Sequence, residues 1–304
     1  MATPQAAPAI GGGTTLAGVL GDPVRHSLSP AMHNAALAAL GLDWVYLALP
    51  VAAADLAVVL QGLEAIDCRG LNVTLPHKQA AAALAQELTP LARRLGAVNT
   101  LVRRDGGGWL GANTDVEGFL APLRALAARE ALVLGCGGSA RAVVAGLVEL
   151  GLDRIRVAGR DGTRLERFLA SCADWAPGLE PLAWDSATAD RAEPLAGALA
   201  GADLVVNTTP LGMASGGDPA AAARSPLTSE QVALLRPDAT VYDLIYTPRP
   251  TALLRLAGAR GCRTIDGLEM LVQQGAASLR LWSGRRDVPV IAMREAALAR
   301  LGAP

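Results

Sequence analysis

The segment NVTLPHK, Asn72 to Lys78, closes a hydrophobic strand pattern on a lysine in a chain with very few lysines. A hydride moving to or from a carbonyl carbon needs a proton moving at the oxygen, and a positioned lysine can give or take it. Asp115, in GANTD, is the other charged residue at such a position. A carboxylate near the ammonium would hold it in place. Hydroxyls and amides join this pair at predicted strand ends: Ser27 and Ser29 in HSLSP, Asn72 and Thr74 in NVTLPHK, and Asn99 in GAVNTL. Positions 72 and 74 alternate along one strand, so they share a face and can reach one ligand with Lys78. A site built to bond each hydroxyl of a polyhydroxylated substrate strongly rejects analogues lacking one. Singly, each residue reads equally well as a cap or turn, and Lys78 as a solvated lysine at a helix start.

A second group of residues suits a dinucleotide. The strand ALVLG runs into GCGGSARAVVAGLVELG, which sets Gly135, Gly137 and Ala140 in a G-x-G-x-x-A pattern enclosing Cys136, Gly138 and Ser139. Glycines there let the backbone approach a pyrophosphate, and the following helix offers unpaired N–H groups and the positive end of its dipole. The next strand ends in VAGRDGTR. Gly159 and Arg160 stand where an NAD enzyme usually places an acid; a guanidinium suits the 2′-phosphate of NADP(H), and Arg164 adds a second cation. Asp161 leaves NAD(H) open, because a carboxylate favours the free 2′-hydroxyl. NTTPLGM, residues 207–213, is either a lining for the nicotinamide side or an ordinary turn. The histidines at 26, 33 and 77 have no metal-ligand spacing, no GxSxG accompanies the serines, and His77 reads as a packing or turn residue. No metal and no serine-hydrolase chemistry is expected.

These residues need two sheets to hold them. At 304 residues the chain exceeds one average domain of roughly 150. From Thr14, short Val/Leu/Ile runs alternate with Ala/Leu-rich helical stretches, the pattern of parallel βαβ units. Strands are predicted at TTLAGVLG, WVYLALPV, GLNVTL and VNTLVRR, with Ser29 capping a first helix and Pro30 at its first position. After a helix over VEGFLAPLRALAA, a second series follows: ALVLG, RIRVAGR, LEPLAW, DLVVNTTP, TVYDLIY and RTIDG. Helices near 268–284 and 288–302 end the chain, and 214–224 reads as a surface loop.

The expected fold is α/β with two domains: an N-terminal substrate-binding domain with a mostly parallel sheet, a Rossmann-like doubly wound domain, and the active site in the crevice between them. A net charge of −1, from 27 basic and 28 acidic residues spread along the chain, offers no stripe for nucleic acid and no polybasic segment for a membrane surface. No apolar run is long enough to span a bilayer. The expected partner is a small molecule, with monomer and homodimer both open. Cysteines at 68, 136, 172 and 262 form no CxxC and suit a reducing cytoplasm. MATPQAAPAIGGG lacks the layout of a signal peptide and reads as a tail.

In order along the chain, GDPVRHSLSPAMHN, GLNVTLPHK, GAVNTL, GANTD, GCGGSARA, NTTPLGM, YDLIY and DGLEMLVQQGA resemble the shikimate dehydrogenase family from about residue 15 onward. The resemblance implies metal-free, NADPH-dependent reduction of 3-dehydroshikimate to shikimate, a step of the shikimate pathway to chorismate and the aromatic amino acids. It implies Lys78 and Asp115 as the catalytic pair and Ser27, Ser29, Asn72, Thr74, Lys78, Asn99, Asp115, Tyr246 and Gln274 as substrate contacts. Cofactor positions fall on Gly135 to Ala140, Gly159, Arg160, Arg164, Leu244 and Gly267. It also implies a discontinuous substrate domain, 1–118 with 268–304, around a dinucleotide domain, 119–267. The chain departs from the family's frequent Asn-Arg-Thr in reading Gly159-Arg160-Asp161. A quinate/shikimate dehydrogenase able to use NAD and a non-catalytic NADP-binding regulator of the same fold are the alternatives.

Overall fold

The computed structural model describes residues 10–184, 189–214 and 220–302; most of the expected tail and the centre of the expected loop at 214–224 lie outside them. The chain divides into two compact units, residues 1–114 with 272–304, and residues 115–271. The first runs through β1 (Thr15–Gly21), α1 (Ser29–Ala39), β2 (Trp44–Pro50), α2 (Leu56–Ala65), β3 (Gly70–Val73), α3 (Lys78–Leu84), β4 (Glu87–Leu88), α4 (Pro90–Leu95), β5 (Thr100–Arg103) and β6 (Trp109–Ala112). The second runs through α5 (Asp115–Leu120), β7 (Glu130–Leu134), α6 (Gly138–Glu149), β8 (Arg154–Gly159), α7 (Gly162–Ala170), β9 (Leu179–Ala183), α8 (Ala189–Gly201), β10 (Leu204–Asn207), α9 (Ser229–Ala233), β11 (Thr240–Asp243), α10 (Ala252–Arg260) and β12 (Arg263–Ile265). Helix α11 (Leu268–Ser283) carries the chain back into the first unit, which α12 (Val290–Gly302) completes.

The first sheet has the order β2-β1-β3-β5-β6-β4. β1 pairs in parallel with β2 and β3, and β4 with β6, while β5 is antiparallel to both β3 and β6. The strands β4 and β6 go beyond the sequence expectation. The signal for β6 is the run Gly106–Gly108, where Gly107 and Gly108 take positive φ and turn β5 back into β6. One face carries a core of Leu20, Leu71, Val73, Leu101 and Trp109 under α2. On the other, α11 lies close: a Cβ on Gly70 would collide with the Trp282 ring, whose Nε1 donates to the Leu101 carbonyl at 3.0 Å.

The second sheet is wholly parallel, in the order β12-β11-β10-β7-β8-β9. Its central strands β7, β10 and β11 are buried on both faces, as helices on either side require. Ala131, Val133, Leu204, Val206 and Tyr242 belong to one core, and the alternating Leu132, Leu134, Val205 and Val241 to the other. The strand order reverses between β7 and β10, the position where doubly wound sheets take their ligands.

Two local expectations are corrected. The helix after GANTD ends at Leu120 and passes into a 3₁₀ turn, Ala121–Leu123. Pro122 has no N–H to continue the α ladder. At α1, Ser29 is the first helical residue and not the cap, and no side chain caps this helix. Ser27 acts from outside it, its Oγ accepting from the Ser29 N–H at 3.2 Å.

Candidate active site

In the first unit, β3 delivers Asn72 to the middle of the sheet, and Gly70 and Asn72 share the face that meets α11. The Asn72 side chain is buried and fully engaged. Its Oδ1 accepts from Tyr46 Oη at 2.7 Å, and its Nδ2 donates to Ser278 Oγ at 2.9 Å and to the Asn99 carbonyl at 3.2 Å. Burial pushes the Tyr46 phenol well above its usual pKa, with the nearby Ser29 hydroxyl opposing the shift, so it stays a neutral donor. Behind it, the His33 ring stacks on Tyr46 at 4.2 Å; burial lowers the imidazole to about 3, which keeps this packing uncharged.

Asn99, at the edge of β5, is equally enclosed. Its Oδ1 accepts from the Thr114 N–H at 2.7 Å, while its Nδ2 donates to Thr114 Oγ1 at 3.0 Å and to Gln274 Oε1 at 3.4 Å. Asn72, Asn99 and Gln274 thus belong to one connected polar layer, together with Tyr46, Thr100, Thr114 and Ser278. Sequence reasoning missed those four. Thr100 and Thr114 lay within quoted motifs beside Asn99 and Asp115, and Ser278 lay one turn after Gln274 on the same helix face. Tyr46 carried no signal beyond an apolar strand.

Thr74 sits one residue beyond β3, its N–H still bonded to the Leu20 carbonyl at 2.9 Å. His77 follows, buried, with Nε2 2.7 Å from the Val51 carbonyl; a carbonyl can only accept, so this ring nitrogen carries the proton. Lys78 then opens α3, half-buried, its carbonyl accepting from Val98 N–H at 2.9 Å and so tying the helix start to the residue before Asn99. It is the only lysine in the chain; every other Lys-or-Arg position is arginine. An arginine cannot release its proton at working pH, whereas a lysine can. An ammonium at a helix N-terminus also gains nothing from the helix dipole. Both points favour chemistry at Lys78 over a solvated surface role. Asp115 begins α5, buried, directly after Thr114.

In the second unit the glycine turn joins β7 to α6. Gly135 has φ of +104°, and a Cβ there would strike Thr208 and Thr209. Gly137 and Gly138 differ: a Cβ on Gly138 would meet nothing within 4 Å, and one on Gly137 only the Arg164 Nη2 at 3.9 Å. Packing does not require these two glycines, and the open space over the N-terminus of α6 suits a pyrophosphate held by Ser139 and the loop N–H groups. Ala140 is buried beneath the loop, and Cys136 is half-buried with its thiol pushed up by burial. Gly159 admits Leu165 and Cys136 close against β8.

Arg160 and Arg164 are exposed. Asp161 is the N-cap of α7, its Oδ1 accepting from Arg164 N–H at 3.1 Å. One of its two carboxylate oxygens is therefore engaged by its own helix. The remaining positions sit at the end of β11. Gly267 lies so close to the Leu244 carbonyl that any Cβ would collide, and its N–H donates to the Ile245 carbonyl at 3.1 Å. Tyr246 is half-buried, with a phenol raised by burial. Asn207, from NTTPLGM, donates to the buried Asp243 at 2.9 Å, and Thr251 donates to the same carboxylate at 2.7 Å. Among the described residues no cluster of three metal-ligating side chains occurs, and no helix is long and apolar enough to cross a membrane.

A family model described as the shikimate dehydrogenase substrate binding domain matches residues 19–101, and one described as the shikimate 5′-dehydrogenase C-terminal domain matches 267–298. A relative from Synechococcus sp. (strain JA-2-3B'a(2-13)), named shikimate dehydrogenase (NADP(+)), is 50% identical over 96% of this chain and 98% of its own. Among solved structures, shikimate 5-dehydrogenase of Thermus thermophilus, in complex with NADP(H) and shikimate, is 38% identical with a TM-score of 0.79, covering 95% of this chain and 100% of that one. The enzyme of Listeria monocytogenes, in complex with shikimate and NAD, is 32% identical with a TM-score of 0.81, covering 94% and 97%. The chain belongs to the shikimate dehydrogenase family.

Proposed function

We propose that the chain catalyses the reversible reduction of 3-dehydroshikimate to shikimate with NADPH. The observation that carries this reading is the chain's single lysine, set at the start of α3 immediately after the strand that bears the buried Asn72. The relatives' names supply the substrate and cofactor. NADPH, when bound, supplies the hydride that goes to the ketone carbon. Lys78 gives its ammonium proton to the ketone oxygen as the alkoxide charge develops, and takes it back in the reverse direction. Asp115 holds that ammonium in place. Ser27, Ser29, Asn72, Thr74, Asn99 and Gln274, with Tyr246, recognise the hydroxyls and carboxylate of the substrate.

Gly135 to Ala140 take the pyrophosphate, and Arg160 and Arg164 take the 2′-phosphate. The two guanidiniums favour NADP(H) over NAD(H), and helix capping engages one of the two carboxylate oxygens of Asp161. Leu244 and Gly267 border the nicotinamide side. The free cysteines suit a reducing compartment such as the cytoplasm. Comparing kcat/KM for shikimate and quinate tests the substrate assignment: a clear preference for shikimate is expected, and an equal or higher value for quinate would overturn it.

A further inference from the structure

The hydroxyl of Ser278 lies at the junction of the polar layer. It is fully buried on α11. It donates to the Gln274 carbonyl at 3.0 Å, and its two lone pairs accept from Asn72 Nδ2 at 2.9 Å and from the Thr100 hydroxyl at 2.8 Å. With that assignment every neighbouring proton finds one acceptor. Asn72 Oδ1 is left for Tyr46, the second Asn72 N–H for the Asn99 carbonyl, and the Thr114 N–H and O–H for Asn99 Oδ1. The Asn72 amide is set by this hydroxyl together with the Asn99 carbonyl, while the Thr114 N–H sets the Asn99 amide.

The helix and strand place it there by their periods. Trp282 packs on Gly70 and Ser278 bonds Asn72, so residues four apart on α11 meet residues two apart on β3. Four helical residues rise about 6 Å and two strand residues about 6.6 Å, which keeps the two stripes in step. Gln274 is the next residue of that helical stripe, and it reaches Asn99.

We infer that Ser278 is a positioning residue for substrate recognition: it fixes the amide of Asn72 and the α11 turn that carries Gln274, and through them the hydroxyl pattern the enzyme accepts. The inference rests on the proposed function, since it assigns Asn72, Asn99 and Gln274 to the substrate. Removing the hydroxyl takes from Asn72 its shortest N–H acceptor, leaving the longer contact to Thr100 Oγ1 at 3.3 Å, and frees the Thr100 O–H to turn to Asn99 Oδ1, 3.0 Å away. The Asn72 amide then loses its tightest anchor to α11, and with it the tie between β3 and the turn that carries Gln274.

The test is steady-state kinetics of Ser278→Ala and Ser278→Cys beside the unaltered protein, with thermal melts. Alanine favours helix slightly over serine, and a thiol is a weak donor and acceptor of similar size, so both variants are expected to fold. The expected result is a KM for 3-dehydroshikimate that rises about tenfold in Ser278→Ala and less in Ser278→Cys, consistent with the loss of about one hydrogen bond. The KM for NADPH should stay within about twofold and kcat within about threefold, because the cofactor and the proton transfer lie outside this layer. A purely structural serine would lower Tm and leave the substrate KM unmoved, and that result overturns the inference while the function stands. If the unaltered protein neither turns over 3-dehydroshikimate nor binds shikimate by calorimetry, the proposed function and this inference fall together. Should Ser278→Ala not fold, an unchanged substrate KM in Ser278→Cys overturns the inference by itself.

Discussion

Individual side chains divide into those with a replaceable role and those without one. Lys78 stands alone in a chain that uses arginine for every other Lys-or-Arg cation. Lys78→Ala should lower kcat by about 100-fold or more, the usual contribution of a general acid, with a modest change in KM. An unchanged kcat in stopped-flow assays would remove its assigned role. Arg160 and Asp161 differ in the same testable way. Arg160→Ala should raise the KM for NADPH about tenfold and spare that for NADH, through loss of a charge-assisted bond to the 2′-phosphate. Asp161→Ser keeps a capping oxygen for α7 and should shift the NADPH to NADH preference by less than about threefold, because the carboxylate already serves Arg164 N–H. The polar residues at predicted strand ends were legible in the sequence because four such segments occur together, although each alone reads as a cap or turn. Tyr46 and Ser278 were not, since a tyrosine in an apolar strand and a serine in a helix look like ordinary packing until α11 is laid across β3.

Turns and helix starts decide where those side chains end up. The glycines of the dinucleotide turn make separable predictions. Gly135→Ala forces a Cβ into Thr208 and Thr209 at a positive φ, and should destabilise the fold by about 1–3 kcal/mol in a denaturant melt. Gly138→Ala meets nothing, so Tm should hold while the KM for NADPH rises because a methyl occupies the space the pyrophosphate needs. An equal loss of Tm in both variants would mean that the loop is shaped for packing alone. The parallel strands of the second sheet were readable from their continuous Val/Leu runs, which burial on both faces requires. β6 was missed because WLGA is short and contains a glycine, and its register depends on the turn at Gly107 and Gly108. The shortened α5 follows from Pro122, whose signal was in the sequence but was outweighed by a long apolar helical pattern.

Over the whole chain, two sheets of different topology carry the two groups of residues, one the polar layer around Asn72 and Asn99 and the other the glycine turn between β7 and α6. Stability of the second unit should carry a pH signature from Asp243. Burial raises this carboxyl to about 6, against the bonds from Thr251, Ile245 and Asn207 that lower it. The folded state then holds the proton more tightly than the unfolded one, so this group's contribution is full below about pH 4 and is lost as pH rises toward about 6. Wild-type Tm minus that of Asp243→Asn should fall across that window; a flat difference would contradict the buried charge. Chelator should leave turnover unchanged, since Lys78 supplies the proton and no step of the proposed reaction calls for a Lewis acid. The most direct measurement is NADPH absorbance in the purified protein after 3-dehydroshikimate is added. Stoichiometric oxidation with shikimate as product is expected, together with its loss in Lys78→Ala; NADPH consumption no faster than in protein-free buffer would contradict the assigned reaction.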